Sequence, residues 1–378
     1  MCGIGGYLGN FGQAILDGIN EAQKHRGPDG MGTWSDRAQG IGLCHQRLAI
    51  IDLSESGRQP MLDSRERAVI AFNGEIYNYR ELRDEYLRDF PFKSQTDTEV
   101  LLGMYLRFGT ECLAKLNGIF AFAIWDCEKK ELFIARDHLG VKPLYYAEAD
   151  NGFVFASELK SICRLSGVDR SIDPRGVVSH LSLMYSPSPD TMVKGIRKLP
   201  PGWAMIVSAD GSIRKWQHYK LPSDSVRPDM KFDDAVSELK SRLGQAIKRQ
   251  MVADVPVGAF LSGGLDSSSI VAHACRHVPD GQFKCFTMQW EKALNETDGV
   301  ESDLPYAEQV ADYLGVDLQK VVISSDIVKK VPEMVYQLDE PQADVASLNT
   351  MFICQLAREQ GIKVLLSGAG GDDVFTGY

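Results

Sequence analysis

The spacing of apolar residues changes part-way along this chain, and that change rules out a single uniform architecture. Up to about Arg170 the apolar residues come in short runs at 40–51, 68–72, 119–125, 132–135, 144–146 and 153–155, separated by Gly, Asp and Asn turns. Such runs predict many short strands. Two helical patterns interrupt them at 79–88 and 97–108, with Thr96 or Asp97 as the cap of the second. Strand runs flanking a helix pair predict a layered α+β domain. From Phe232 onward the pattern alternates. Helical stretches at 232–251, from about 266, at 306–314 and at 350–360 separate short apolar strands at 255–261, 285–288, 320–323 and 363–366. That order predicts an α/β domain with a buried parallel sheet and right-handed crossovers. Between the two lie Pro187, Pro189, Pro200, Pro201 and Gly202, then a polar stretch at 221–231. The expected organisation is a domain over 1–170, a connecting segment over 171–231 and a second domain over 232–378. A length of 378 residues agrees with two cores.

The formal net charge of −10 argues against a nucleic-acid or anionic-membrane binder, which it would repel. It leaves room for a phosphorylated ligand, because backbone amides and a metal ion can supply the positive field. The 8 cysteines fall at irregular positions with no CxxC pair, so a structural zinc site is not expected. No basic n-region precedes an apolar run at the N-terminus, and no stretch is long enough to span a bilayer. Reduced thiols in a cytoplasmic protein are the expectation.

Cys2 directly follows Met1. A side chain that small permits removal of the initiator methionine, which would leave a cysteine carrying both a thiol and a free α-amine. The amine's ordinary pKa of about 7.7–8.0 leaves part of it neutral near pH 7, able to act as base toward its own thiol. Downstream lie His25-Arg26-Gly27-Pro28-Asp29-Gly30, His45-Gln46-Arg47-Leu48-Ala49, Phe72-Asn73-Gly74-Glu75 and Ser94-Gln95-Thr96-Asp97. Taken singly, Asn73-Gly74 could be a type I′ hairpin turn and Arg47 a surface cation. In this order after Cys-Gly-Ile-Gly, the segments resemble the class II glutamine amidotransferase domain, whose fold is the αββα N-terminal-nucleophile type. The resemblance implies Cys2 as the nucleophile. It implies the Asn73 amide and the Gly74 N–H as donors to the oxyanion, Arg47 as the clamp on glutamine's α-carboxylate, and Asp97 with Glu75 as partners of its ammonium. These residue types suit the chemistry, since a tetrahedral oxyanion needs preorganised donors and a carboxylate suits a bidentate guanidinium.

In the second half, an apolar strand runs into Ser262-Gly263-Gly264-Leu265-Asp266-Ser267-Ser268 and then a helix. Strand, glycine turn and helix N-terminus make an anion site. Neither GxxxxGK[ST] nor GxGxxG is present. The run resembles the pyrophosphate loop of the ATP-pyrophosphatases in its asparagine synthetase form. A second loop, Ser367-Gly368-Ala369-Gly370-Gly371-Asp372, and the segments Asp339-Glu340-Pro341 and Ala343-Asp344 resemble the same family. The resemblance implies ATP contacts from Phe260, Leu261, Ser262, Gly263, Gly264, Asp266, Ser267, Ser268, Met288, Ser367 and Gly368. It implies Mg2+ held by Asp266 and Asp372.

Joining these two halves is the mark of the glutamine-hydrolysing asparagine synthetase family. The implied partners are small molecules: glutamine, ATP and a carboxylate acceptor, aspartate first. A homodimer is a further expectation. Ammonia freed from a γ-glutamyl thioester on Cys2 would pass through a tunnel to an acyl-adenylate, because in bulk water it becomes ammonium and cannot attack. Two departures qualify the match. Ala369 stands where the family has an acidic residue, which keeps open a different acceptor, such as a uronic acid in surface-polysaccharide synthesis. Family members also continue past the second loop with a catalytic lysine and acceptor-binding residues. A truncated chain, with glutaminase or binding activity only, is therefore the third reading.

Overall fold

The strand Gly3–Gly9 is the one around which the N-terminal half is arranged. In the computed structural model, which describes residues 1–222, 229–291, 303–342, 344 and 346–375, it runs antiparallel to Ile41–Arg47 on one side and Gly152–Ala156 on the other. Gly30–Asp36 extends one edge, and Tyr145–Ala149 with Arg197–Lys198 the other, making six strands. Close packing dictates the glycine at position 6. A Cβ there would lie 2.8 Å from the Phe155 ring and 2.9 Å from Leu43.

A second antiparallel six-stranded sheet runs in the order Ile213–Gln217, Trp203–Ser208, Glu131–Arg136, Gly118–Asp126, Ala68–Ile76, Met61–Leu62. One buried cluster joins Ile4, Leu43 and Phe155 of the first sheet to Val69, Trp125, Ile134 and Met205 of the second, so the sheets stack face to face. On the outer face of the first, helix Ala14–Ala22 buries Leu16 and Ile19 against Tyr7, Cys44 and Val154. Helix Asp97–Phe108 covers the second, with Tyr105 stacked on Phe133 at 5.5 Å between ring centroids. The layers are α, β, β, α, as the sequence led us to expect.

Two features differ from the sequence reading. Strand Gly3–Gly9 was not anticipated, because its four glycines give no apolar alternation. The stretch read as a connection supplies strands Arg197–Lys198, Trp203–Ser208 and Ile213–Gln217 to the two sheets, with Met205 and Val207 in the core. Pro and Gly punctuate tight turns between short strands as readily as they mark a linker. The first compact unit accordingly spans Met1–Asp224 and takes in Gln337–Ala343.

The second unit comprises Ser225–Tyr336 and Asp344–Tyr378. Its four parallel strands lie in the order Asp317–Ile323, Lys284–Trp290, Val257–Phe260, Val364–Leu366. Helices cover both faces: Leu265–Ala274 and Leu304–Leu314 pack into the cluster of Ala259, Leu261 and Val271, and Ala346–Glu359 into that of Phe286 and Ile353. The order reverses between Val257–Phe260 and Val364–Leu366, the switch point outside which such sheets bind ligands.

The placement of strand Trp203–Ser208 generates a prediction. A chain ending at 170 loses that strand and exposes Phe133 and Ile134, so it should aggregate or melt without cooperativity. One ending at 222 should unfold in a single transition followed by circular dichroism.

Candidate functional site

Cys2 enters the central strand one step beyond the Gly3–Gln46 pair, beside Arg47 at the end of the neighbouring strand. The Leu48 backbone N–H donates to its sulfur at 3.3 Å, and the thiol reaches the Leu48 carbonyl at 3.6 Å. Its own carbonyl accepts from Arg26 Nε at 2.9 Å. Arg47 is buried, and its guanidinium donates to the carbonyls of Ser54, at 2.8 Å, and Asp52. Asp52 holds that loop by accepting from the backbone N–H groups of Ser54 and Gln95. The guanidinium is therefore fixed before any ligand arrives. It is not the surface cation the sequence left open.

Asn73 and Gly74 lie inside strand Ala68–Ile76, paired with Ala121 and Phe120, and do not form a hairpin turn. Asn73 is fully buried, yet neither polar atom of its amide has a hydrogen-bond partner among the described residues. Leaving such groups unpaired costs about 1–3 kcal/mol each, so an amide held this way calls for an explanation outside the fold. At position 74 a Cβ would sit 2.7 Å from Phe120 Cα, so the adjoining strand alone already demands glycine. His45 on the first sheet donates from Nε2 to the Phe72 carbonyl on the second at 3.1 Å. Burial and the neighbouring Arg47 push its pKa down to about 3, keeping it neutral.

Asp97 opens helix Asp97–Phe108. The Thr96 hydroxyl accepts from Glu99 N at 3.1 Å, and Glu99 reaches back to the N–H groups of Lys93 and Ser94. This Thr96 cap, with Glu99 tying down the preceding turn, seats Asp97, whose carboxylate accepts from Ile76 N at 2.9 Å, next to Glu75. Both acids are pushed up to about 7, in each case mainly by burial. Asp97 adds to the rise of Glu75, and Cys2 to that of Asp97; Lys142 and the terminal amine oppose the rise of Glu75. A cationic group entering between these carboxyls would relieve their repulsion. The sequence reading missed Lys142, a buried lysine in a non-periodic loop, together with His45 and Glu158. Only their neighbours in space mark them out.

In the second unit, Gly263 at φ +85 turns the chain from strand Val257–Phe260 into helix Leu265–Ala274. Ser262 and Ser267 hydroxyls lie 3.0 Å apart, and Gly264 N donates to Ser262 Oγ at 3.3 Å. The Ser268 hydroxyl is buried without a partner among the described residues, as a ligand-facing donor would be. The second glycine loop packs directly on the first. A Cβ on Gly368 would lie 2.9 Å from Ser267 N, and one on Gly371 would fall on the Asp266 carboxyl. Asp266 thus abuts the short helix Gly371–Phe375 that carries Asp372. Phe260 and Met288 pack against the same cluster, whereas the Leu261 side chain is buried in the core on the opposite face and can offer only its backbone. Ala369 is exposed, with its N–H bonded to Ser367 Oγ. Ala343 lies outside the described residues.

No cluster of three or more metal-ligating side chains occurs among the described residues. Asp266 and Asp372, on loops that pack against each other, are nonetheless residue types that suit Mg2+, which takes one or two carboxylates and completes its shell with water and phosphate oxygens. No described helix is long and apolar enough to cross a membrane.

A family model described as a glutamine amidotransferase domain matches residues 1–219, and one described as asparagine synthase matches 238–378. A chain provisionally named as a glutamine-hydrolysing asparagine synthetase in Mycobacterium tuberculosis is 38% identical, over 100% of this chain and 60% of its own length. Glutamine-hydrolysing asparagine synthetases 1 and 3 of Bacillus subtilis are 35% and 36% identical over 100% of this chain, and over 59% and 63% of their own. This chain thus spans about 60% of the length of such relatives.

The acid pair sets an expectation for stability. Carboxyls that bind protons more tightly folded than unfolded stabilise fully below the ordinary carboxylate range, and that stability is lost as pH rises through about 7. Asp97→Asn should therefore raise Tm over the parent chain at pH 8 and leave it nearly unchanged at pH 4. A Tm difference that does not vary with pH would contradict the assignment.

Proposed function

We propose that this chain, which belongs to the glutamine-hydrolysing asparagine synthetase family, releases ammonia from glutamine at Cys2 and delivers it to an acyl-adenylate made from ATP and a carboxylate, with aspartate the acceptor. The observation that carries this reading is the Asn73 amide, buried and unpaired on the strand that also bears Glu75.

The steps follow from the residues. Glutamine's α-carboxylate pairs with the Arg47 guanidinium, and its α-ammonium with Glu75 and Asp97. The α-amine of the processed chain takes the Cys2 proton, and the thiolate attacks the side-chain amide carbon. Charge on the tetrahedral oxygen is met by the Asn73 amide and the Gly74 N–H. As the intermediate collapses, the α-ammonium of Cys2 returns its proton to the amide nitrogen, so that neutral ammonia leaves and a thioester remains, which water hydrolyses to glutamate. In the second unit, the loops at 262–268 and 367–372 would bind ATP phosphates through backbone N–H groups, hydroxyls and the helix N-terminus. Asp266 and Asp372 would hold Mg2+, which supplies positive charge to those phosphates. Attack by the acceptor carboxylate on the α-phosphorus releases pyrophosphate; ammonia then displaces AMP to give the amide.

The exposed Ala369 supports a second reading, in which the acceptor is another carboxylate such as a uronic acid. Pyrophosphate release dependent on ATP and glutamine, assayed with aspartate and with galacturonic acid, separates the two. Release with aspartate alone supports the first, and release with the uronic acid alone overturns it.

Two outcomes test the glutamine half. Cys2→Ala should abolish glutamate release while leaving pyrophosphate release driven by added ammonium. Asn73→Leu, which conserves volume, should lower kcat for glutamine by about 10²–10³ without lowering Tm. Protonation of the acid pair should also raise KM for glutamine as pH falls below about 7, seen in initial rates from pH 5.5 to 8.5.

A further inference from the structure

Arg26, which holds the Cys2 carbonyl, is itself the end of a chain of ion pairs. Its Nη1 lies 3.0 Å from Glu158 Oε1, which His25 also reaches at 2.8 Å. The other Glu158 oxygen is 2.6 Å from Lys160 Nζ, and the same Nζ is 3.3 Å from Asp339 Oδ1. Asp339 also accepts from the backbone N–H groups of Leu159, beside Glu158, and of Lys160. The Glu158 side chain is 2% exposed and that of Asp339 5%, so solvent screens these charges little. Three groups that carry or can carry positive charge converge on Glu158, and its carboxyl is held down at about pKa 2.

Asp339 comes from the C-terminal half of the sequence, yet 337–343 belongs to the first compact unit. Its neighbour Glu340 is anchored separately, by Lys198 Nζ at 2.6 Å and the Tyr145 hydroxyl at 3.1 Å. The Asp339 branch is the one that the described ion pairs carry on, through Lys160, Glu158 and Arg26, to Cys2. A buried charge chain of this kind responds as one unit, because removing any member leaves the next charge uncompensated.

We infer that Glu158 and Asp339 are positioning residues for Cys2, and that the Asp339–Lys160–Glu158–Arg26 chain transmits the placement of the 337–342 segment to the nucleophile. The inference rests on Cys2 being the glutaminase nucleophile. Because that segment continues on both sides into the second unit's sequence, movement of it would reset the Cys2 carbonyl. Glutamine hydrolysis would thereby be tied to the half of the chain that consumes ammonia.

Asp339→Asn, Glu158→Gln and the double variant, with Glu340→Gln as control, test the link in the whole chain. Asp339→Asn should lower kcat for glutamine by about tenfold with KM changed less than about twofold. The double variant should lose no more than Glu158→Gln alone. Glu340→Gln should leave kcat unchanged, and Lys160→Gln reads the same link if Asp339→Asn does not fold. The rate at which iodoacetamide alkylates Cys2, followed by peptide mass spectrometry, should fall with kcat, since a loosened Cys2 loses its bond from Leu48 N. Unchanged kcat and alkylation in Asp339→Asn overturn the inference. So does an equal loss in Glu340→Gln, which would mean that docking of the segment matters and the charge chain does not. A parent chain that releases no glutamate overturns the glutaminase reading instead, and the alkylation rates then decide the charge chain on their own.

Discussion

One buried hydrogen bond crosses between the two stacked sheets, from His45 Nε2 to the Phe72 carbonyl. It lies two residues from Arg47 on one sheet and one residue from Asn73 on the other. The guanidinium and the amide sit on different sheets, so their separation is set by how the sheets stack. A shared apolar core fixes the spacing of stacked sheets near 10 Å but not their slide, and a directional bond at this point supplies the missing constraint. The neutral state of His45 belongs to the same device. Charged, it would face the Arg47 guanidinium inside a dry core.

Like residues in opposite surroundings give the first unit its electrostatic character. Asp97 is buried and Glu75 beside it partly so, and both are raised toward neutrality. Glu158, also removed from water, is ringed by His25, Arg26 and Lys160 and is held ionised. The first pair is left with a deficit that a cationic ligand group can fill. The second is complete within the protein and serves to hold backbone. The same distinction separates the Asn73 amide, unpaired at both ends, from that of Gln46, which donates to the Asn20 carbonyl.

The second unit owes its site to topology. Strands Val257–Phe260 and Val364–Leu366 are parallel neighbours, so the loops leaving them emerge on the same edge and pack on each other. Their sequences lie about a hundred residues apart. What joins them is the reversal of strand order, which opens a crevice where no helix crosses.

Much of this was legible beforehand, and the reason is range. Helix Asp97–Phe108 and its Thr96 cap are written in spacings of three and four residues, and the turn at Gly263-Gly264 in a glycine's freedom at positive φ. The chemical kinds of the site residues were equally open to reading, since Cys2, Arg47, Asn73 and Asp97 carry their capacities wherever they stand. The glycine-rich opening strand was hidden because its regularity lies in close contact with Leu43 and Phe155, and Trp203–Ser208 because its partner strand lies some seventy residues earlier. Register, the stacking of the two sheets, the burial that raises Glu75 and Asp97, and the capture of Asp339 by Lys160 all depend on residues distant in the chain. By itself, then, the sequence determined which elements form and which chemistry is available. Tertiary structure alone decided which of those groups meet and in what charge state, because burial and long-range pairing belong to the packed whole.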